Sequence, residues 1–435
     1  MRSAAIIPGF RSILGFQSLV VAAAILSTPV SDVAQAQMTP TLATIDTTMV
    51  AGEADAQLPT KRGLAKYNEF DLGFTSLRLG YGFVWDFLAT SQDRESKEQF
   101  DLETPDNGLR DFRLLFKGQF KTKRPLSWTA GIMYDGPAEQ WFFRQTGLMV
   151  GIPELSSYLF VGRTKEGFSA YKVMVGYDLW TIERSPFNDA FIPILGDGVK
   201  LNGHVDRAHL TWNLGYFQDG LSEDLKFATY DNQLVGRLIF YPVLTQQEVL
   251  HLAVMGRDFT PDEGAFQARS RPESWLSPYF VDTGKFATDS GNTFGLEGYW
   301  RKNSWLIGGE YDIQNFSAPE SGDPTFIGYN ASVAWLPTGE TRGYNKNAGY
   351  FNTIIPRRSV FEGGPGAVEL SLNYSYIDLN DGALKGGTMW RISPAVHWHL
   401  MDYTRITFAY GYGVLDRFDL EGATQFFQLR LFTGL

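Results

Sequence analysis

The stretch that most constrains the fold is the last one, Ala423 to Leu435. Phe427, Leu429 and Leu431 share one parity, with Gln428 and Arg430 on the other. Thr433 and Leu435 continue the apolar parity. A period of two is a β-strand with one wet face, because successive side chains point to opposite sides. Such a strand needs a partner on both edges, or it becomes an aggregation template. A barrel supplies both partners, since its last strand closes against its first. The expectation is therefore an all-β closed sheet, and the rest of the chain must supply the other strands.

The alternation recurs upstream. In Phe70 to Leu88, Leu77, Leu79, Tyr81, Phe83, Trp85 and Phe87 oppose Arg78, Gly80, Gly82 and Asp86. Leu109 to Lys121 and Leu126 to Tyr134 follow, and two strands are expected around Pro153. Further strands are read at 199–205, 207–217, 233–241, 249–257, 277–286, 293–301, 305–313 and 326–335. The clearest are 367–377, 388–400 and 404–415. Phe168 to Gly196 and Leu336 to Pro365 lack the period and read as long loops, the first broken by Pro186 and Pro193. Ten-residue alternating segments with aromatic ends on the apolar face and charges on the other are the signature of a transmembrane antiparallel β-barrel. The count is sixteen or seventeen, and the even-number rule selects sixteen. Sixteen strands leave an aqueous lumen.

The chain has 33 Phe, 20 Tyr and 11 Trp, no Cys, and a formal charge of −10. The absence of Cys excludes disulfides and thiolate metal sites, and the acidity excludes nucleic acid as a whole-chain partner. Arg2 and Arg11, the apolar run Leu19 to Leu26 and Ala34-Gln35-Ala36 read as a cleaved signal peptide over 1–36. Residues 37–67 read as a flexible lead and 68–435 as the barrel domain. Bacterial outer membrane is the expected location.

A collinear series of local motifs resembles the phosphate-selective porin O/P family. It includes Arg113-Leu114-Leu115-Phe116-Lys117-Gly118, Val161-Gly162-Arg163-Thr164-Lys165-Glu166-Gly167 and Ile182-Glu183-Arg184-Ser185. Gly236 to Pro242, Ser270-Arg271-Pro272-Glu273, Leu336 to Glu340 and Phe427 to Leu431 extend it. The resemblance implies a sixteen-stranded outer-membrane barrel, a homotrimer, and inward-folded loops lined by Arg and Lys. Two departures stand out. The last residue is Leu435 where such strands usually end in an aromatic. The loop Phe168 to Gly196 sets Lys172 and Arg184 against Asp178, Glu183 and Asp189, with no Arg cluster.

A catalytic role is not expected. None of the five His has Ser two residues later, which removes the His–Ser spacing of outer-membrane phospholipases. His397 and His399 share one inward face without an evident third ligand, so neither metal nor cofactor is expected. The inward-parity basic residues are Arg78, Arg113, Lys117, Lys121, Arg237, Arg257, Arg301, Arg391, Arg405 and Arg430, with Arg184 on the long loop. Their acidic counterparts are Asp86, Glu297, Glu310, Asp312 and Glu369. A basic wall in a confined aqueous channel favours anions. Arg113, Lys117 and Lys121, four apart, would descend the wall in steps of about 10 Å.

The reading is a porin in outer-membrane lipid, passing small hydrophilic and preferably anionic solutes, phosphate or polyphosphate among the candidates. Sugars are an alternative solute class, with Trp180, Phe187 and Phe191 as the loop residues that would line their path. A structural or adhesive barrel plugged by its loops is the other class.

Overall fold

Sixteen antiparallel strands close into one barrel in the computed structural model, which describes residues 68–220 and 230–435. The segment read as a signal peptide and the lead up to residue 67 lie outside the described residues. The wall strands are β1 (Ser76–Gln92), β2 (Asp106–Gln119), β3 (Leu126–Asp135), β4 (Gln140–Phe143 and Thr146–Ile152) and β5 (Ser157–Thr164). Then come β6 (Gly196–Val205), β7 (Leu210–Gln218), β8 (Asn232–Leu244), β9 (Glu248–Thr260) and β10 (Ser290–Lys302). The last six are β11 (Trp305–Ser317), β12 (Thr325–Trp335), β13 (Ala367–Asp381), β14 (Leu384–Met401), β15 (Thr404–Arg417) and β16 (Leu420–Gly434). Each pairs with its neighbours in the chain, and β16 closes on β1 from Gly82↔Gly434 to Gln92↔Thr424. The closure expected from the last stretch is borne out.

Parity sorts the side chains as the alternation requires. Phe294, Phe408 and Phe427 point outward and are exposed, whereas Arg391, Thr407 and Arg430 point inward and are buried. The outer face carries stacked aromatic pairs at two heights. Trp305 and Trp335 stack at 5.3 Å beside one end, and Tyr329 and Tyr376 at 5.0 Å nearer the other. These amphipathic rings suit the two headgroup levels of a bilayer.

Two strand expectations are corrected. Ser277 to Phe286 is not a wall strand, which removes the seventeenth. It belongs to the connection 261–289, which forms only two-residue ribbons, Ala265–Phe266 with Phe286–Ala287 and Arg269–Ser270 with Val281–Asp282. Pro272 and Pro278 deny this segment the N–H groups of a wall strand. At the other end of the range, Phe70 is not part of β1. Gly73 at φ +86° turns the chain, and Glu69–Asp71 folds back on β1.

The connections 120–125, 153–156, 206–209, 245–247, 303–304 and 402–403 are short and share one end of the barrel, the periplasmic end by the usual rule. The long connections 165–195 and 261–289 lie at the opposite, extracellular end. The segment 336–366 is the exception, since it joins β12 to β13 at the periplasmic end. All three long segments turn into the lumen and pack on inward wall residues. Phe259, Phe266, Phe286 and Phe316 form one seat, with Phe266 and Phe316 rings 4.7 Å apart and Phe286 and Phe316 5.1 Å apart. Burying such a ring stabilises by roughly 1.5–3 kcal/mol, so the 261–289 segment is fixed to the wall by apolar contact as well as by charge.

Candidate functional site

The segment 165–195 crosses the lumen from one wall to the opposite one. It contains α1 (Ala170–Val173), whose cap Ser169 accepts from the Lys172 amide at 3.1 Å. The same hydroxyl donates to Glu310 on β11 at 2.6 Å, and the Ala170 and Tyr171 amides reach Glu297 and Glu310, each at 3.0 Å. Wall carboxylates thus hold the helix by its free N-terminal donors. Further on lies α2 (Pro186–Phe191), whose Phe187 packs where Gly328 faces it; a β-carbon at Gly328 would collide with that ring.

Five of the wall arginines end on backbone carbonyls of these inward segments. Arg405 donates to Leu179 O at 3.1 Å and Arg257 to Phe191 O at 2.9 Å. Arg430 donates to Ile182 O, Arg391 to Pro272 O, and Arg237 to Gly349 O at 2.8 Å. Carboxylates complete three of these clamps. Arg430 chelates Asp86 at 2.6 and 2.7 Å, Arg237 holds Glu297 at 2.6 Å, and Arg391 lies 3.6 Å from Glu273. From the periplasmic side, Arg342 grips Glu369 at 2.7 and 2.8 Å and Asp178 O at 2.9 Å, and lies over the Trp180 ring. The inner segments meet there, with Trp180 packed on Tyr171, Tyr299 and Phe351.

The structure therefore relocates several residues read from sequence as pore lining. Arg237, Arg257, Arg391, Arg405 and Arg430 are buried under the inner segments. Arg301 is buried on the carbonyls of Thr245 and Gln246 in a periplasmic turn. Arg113 is held by Asp111 through two 2.8 Å bonds and lies over Tyr177. Arg78 sits 3.9 Å from Glu69, and Lys117 is its half-buried cross-strand neighbour. Lys121 is past the end of β2, exposed at the periplasmic rim and bonded to Asp71 at 2.7 Å. The three-step ladder is thus not a row of open charges, because β2 stops at Gln119 and parity cannot be carried through the turn. Trp180 and Phe187 are wholly buried and offer no face to a sugar. His397 is spent on Trp180 O and Thr407, and among the described residues no cluster suited to a metal occurs.

Among the described residues, a vestibule of about 610 Å³ opens between the 165–195 and 261–289 segments and the walls of β2 to β4. Its basic lining is Arg110, Lys172, Arg184, Arg269 and Arg271, and its acidic lining is Asp135, Glu183, Asp189 and Glu273. Of these basic residues only Arg184 had been singled out as pore lining from sequence. Arg269 and Arg271 each lie 4.2 Å from the centroid of the Tyr279 ring. Among the described residues neither is paired with a carboxylate. Glu183 receives Arg110 at 2.9 Å and also Arg430. Burial pushes its carboxyl pKa up, but the two guanidiniums outweigh burial and hold it well below the usual glutamate range. Burial pushes the Lys172 ammonium down, against the pull of Asp189 at 3.1 Å.

Three comparisons bear on the arrangement. The profile of the family "Phosphate-selective porin O and P" matches residues 90–417. An uncharacterised protein of Caulobacter vibrioides is 32% identical over 196 residues, 44% of this chain and 38% of that one. Porin O of Pseudomonas aeruginosa is 26% identical over 204 residues, 40% of this chain and 46% of that one. The chain thus matches less than half the length of these curated relatives. Among solved structures, the anion-selective porin of Comamonas acidovorans superposes with a TM-score of 0.53 at 11% identity, covering 83% of this chain and 100% of that one. A trimer form of OmpT from Vibrio cholerae gives 0.50 at 13%, covering 82% and 99%. At these identities the likeness is one of fold.

Proposed function

The chain belongs to the phosphate-selective porin O and P family of outer-membrane barrels, and on that premise we propose that it is a diffusion channel that prefers small anions. The observation that carries the preference is the pair Arg269 and Arg271, which flank Tyr279 at the vestibule without a carboxylate partner among the described residues. Arg271 also gives its Nε to the Ser277 carbonyl at 2.9 Å, within its own segment, whereas the wall arginines named above are bonded to carboxylates or to carbonyls of the segments they anchor. Guanidiniums resting on an aromatic face keep their full charge at the vestibule, and fixed cations in a narrow aqueous mouth concentrate anions. Passive passage with no catalytic step is the reading that family and fold favour. Assembly as a homotrimer is part of the proposal, supported by the family resemblance and by the trimer form of the OmpT neighbour.

Planar-bilayer recording tests this. In a KCl gradient the zero-current potential should take the sign of chloride selectivity. Adding phosphate, the anion in the family's name, should lower chloride conductance if phosphate shares the site. A potential of the cation-selective sign would reject the anion preference, and an absence of channels would reject the porin reading. Chemical cross-linking in mild detergent should trap three copies.

A further inference from the structure

We propose that Glu183 is a specificity-determining residue of the channel, masking Arg110 and Arg430 and so setting how strongly the vestibule favours anions. This rests on the channel reading above but not on its anion sign.

The geometry is specific to this carboxylate. Arg110 comes from β2 and Arg430 from β16, strands separated by β1, and Glu183 reaches both from the inner segment. Each arginine has a second acid on the wall, Asp135 at 3.3 Å for Arg110 and Asp86 for Arg430. Glu183 is thus the third acid added to a site already balanced, and it lines the vestibule beside Arg110 together with the wall's Asp135. The other two loop acids there differ. Asp189 is about half exposed and paired with Lys172. Glu273 is buried against Arg391, with Ser393 donating at 2.8 Å, and Ser375 at 2.5 Å.

The lining holds five basic and four acidic residues, so one charge is a large fraction of the imbalance. Screening dilutes it only in part, because the Debye length of about 8 Å at physiological salt is comparable to the size of such a cavity. The substitution Glu183→Gln removes the charge but keeps the side chain's length and a carbonyl acceptor for Arg110. The loop keeps an independent tether, since Arg430 also donates to the Ile182 carbonyl.

The experiment is zero-current potential and single-channel conductance of the full chain in planar bilayers, under a KCl gradient. Glu183→Gln should raise the anion-over-cation permeability ratio about two- to threefold with conductance near wild type. Glu183→Asp, which keeps the charge, should stay near wild type. Arg110→Gln, which leaves Glu183 under-compensated, should move the potential toward cations. An unchanged ratio in Glu183→Gln overturns the proposal, as does a large conductance rise, which would make Glu183 a loop anchor only. If wild type proves cation-selective while Glu183→Gln still shifts toward anions, the anion preference falls and the role of Glu183 stands. Should Glu183→Gln not insert, Arg110→Gln decides alone: a cation-ward shift supports the mask, and no shift rejects it.

Discussion

Two sets of arginines behave in opposite ways in this barrel. Those on the wall, such as Arg237, Arg391, Arg405 and Arg430, are buried and grip the backbone of segments that fold into the lumen. Those on an inner segment, Arg269 and Arg271, are only half-buried, rest on a tyrosine and keep clear of carboxylates. The difference teaches that position on the wall does not make a charge available to a solute. A wide barrel must anchor whatever narrows it, and guanidinium, which stays ionised and offers five donors in a fixed fork, suits an anchor better than any other side chain. The charges left over for selectivity then sit on what has been anchored.

The largest break in this comparison should come from Arg430. Replacing it with Met leaves Asp86 without its guanidinium and Glu183 with Arg110 alone, and an uncompensated buried acid of this kind costs about 3–5 kcal/mol. Thermal unfolding in detergent measures the loss, and freed 165–195 chain should become protease-sensitive. Arg257→Gln should cost less, about 1.5–3 kcal/mol for charge-assisted bonds, since its partners Gln233 and Phe191 O are neutral. Lys121→Gln sharpens the contrast from the other side. Its ammonium is exposed and salt-screened on Asp71, so unfolding temperature and zero-current potential should both stay put.

The smallest effect concerns pH. Because Glu183 has its folded pKa depressed, its stabilising contribution is fully present above the unfolded glutamate value of about 4.3 and is lost as pH falls through the depressed one. Resistance of the inner segment to protease should therefore be flat from pH 8 to pH 5 as far as this group is concerned. A midpoint of loosening inside that range that disappears in Glu183→Gln would contradict the double clamp.

The barrel was legible because its cause is local: each strand states its own period, and Trp390, Ile392, Val396 and Trp398 need no partner to announce an outer face. The long loops were legible by the failure of that period. Which wall charges stay open was not, because Arg391 and Arg405 read identically to a solvated lumen residue until segments 119 and 226 positions away in sequence are brought on top of them. The inward turn of 336–366 at the periplasmic end was equally silent, since nothing in its composition marks a side. Arg269 and Arg271 did carry a signal, a spacing of two with Tyr279 eight to ten residues on. The alternation of Ser277 to Phe286, which imitates a wall strand, hides it.

The most direct test sets Arg269→Gln/Arg271→Gln beside Arg405→Gln in one KCl gradient and compares their zero-current potentials. The account predicts a shift toward cations for the loop pair with conductance little changed. For the wall variant it predicts raised conductance and a smaller shift per charge removed. If Arg405→Gln moves selectivity more per charge than the loop pair while the inner segments stay docked, wall arginines face the solute and the account is wrong.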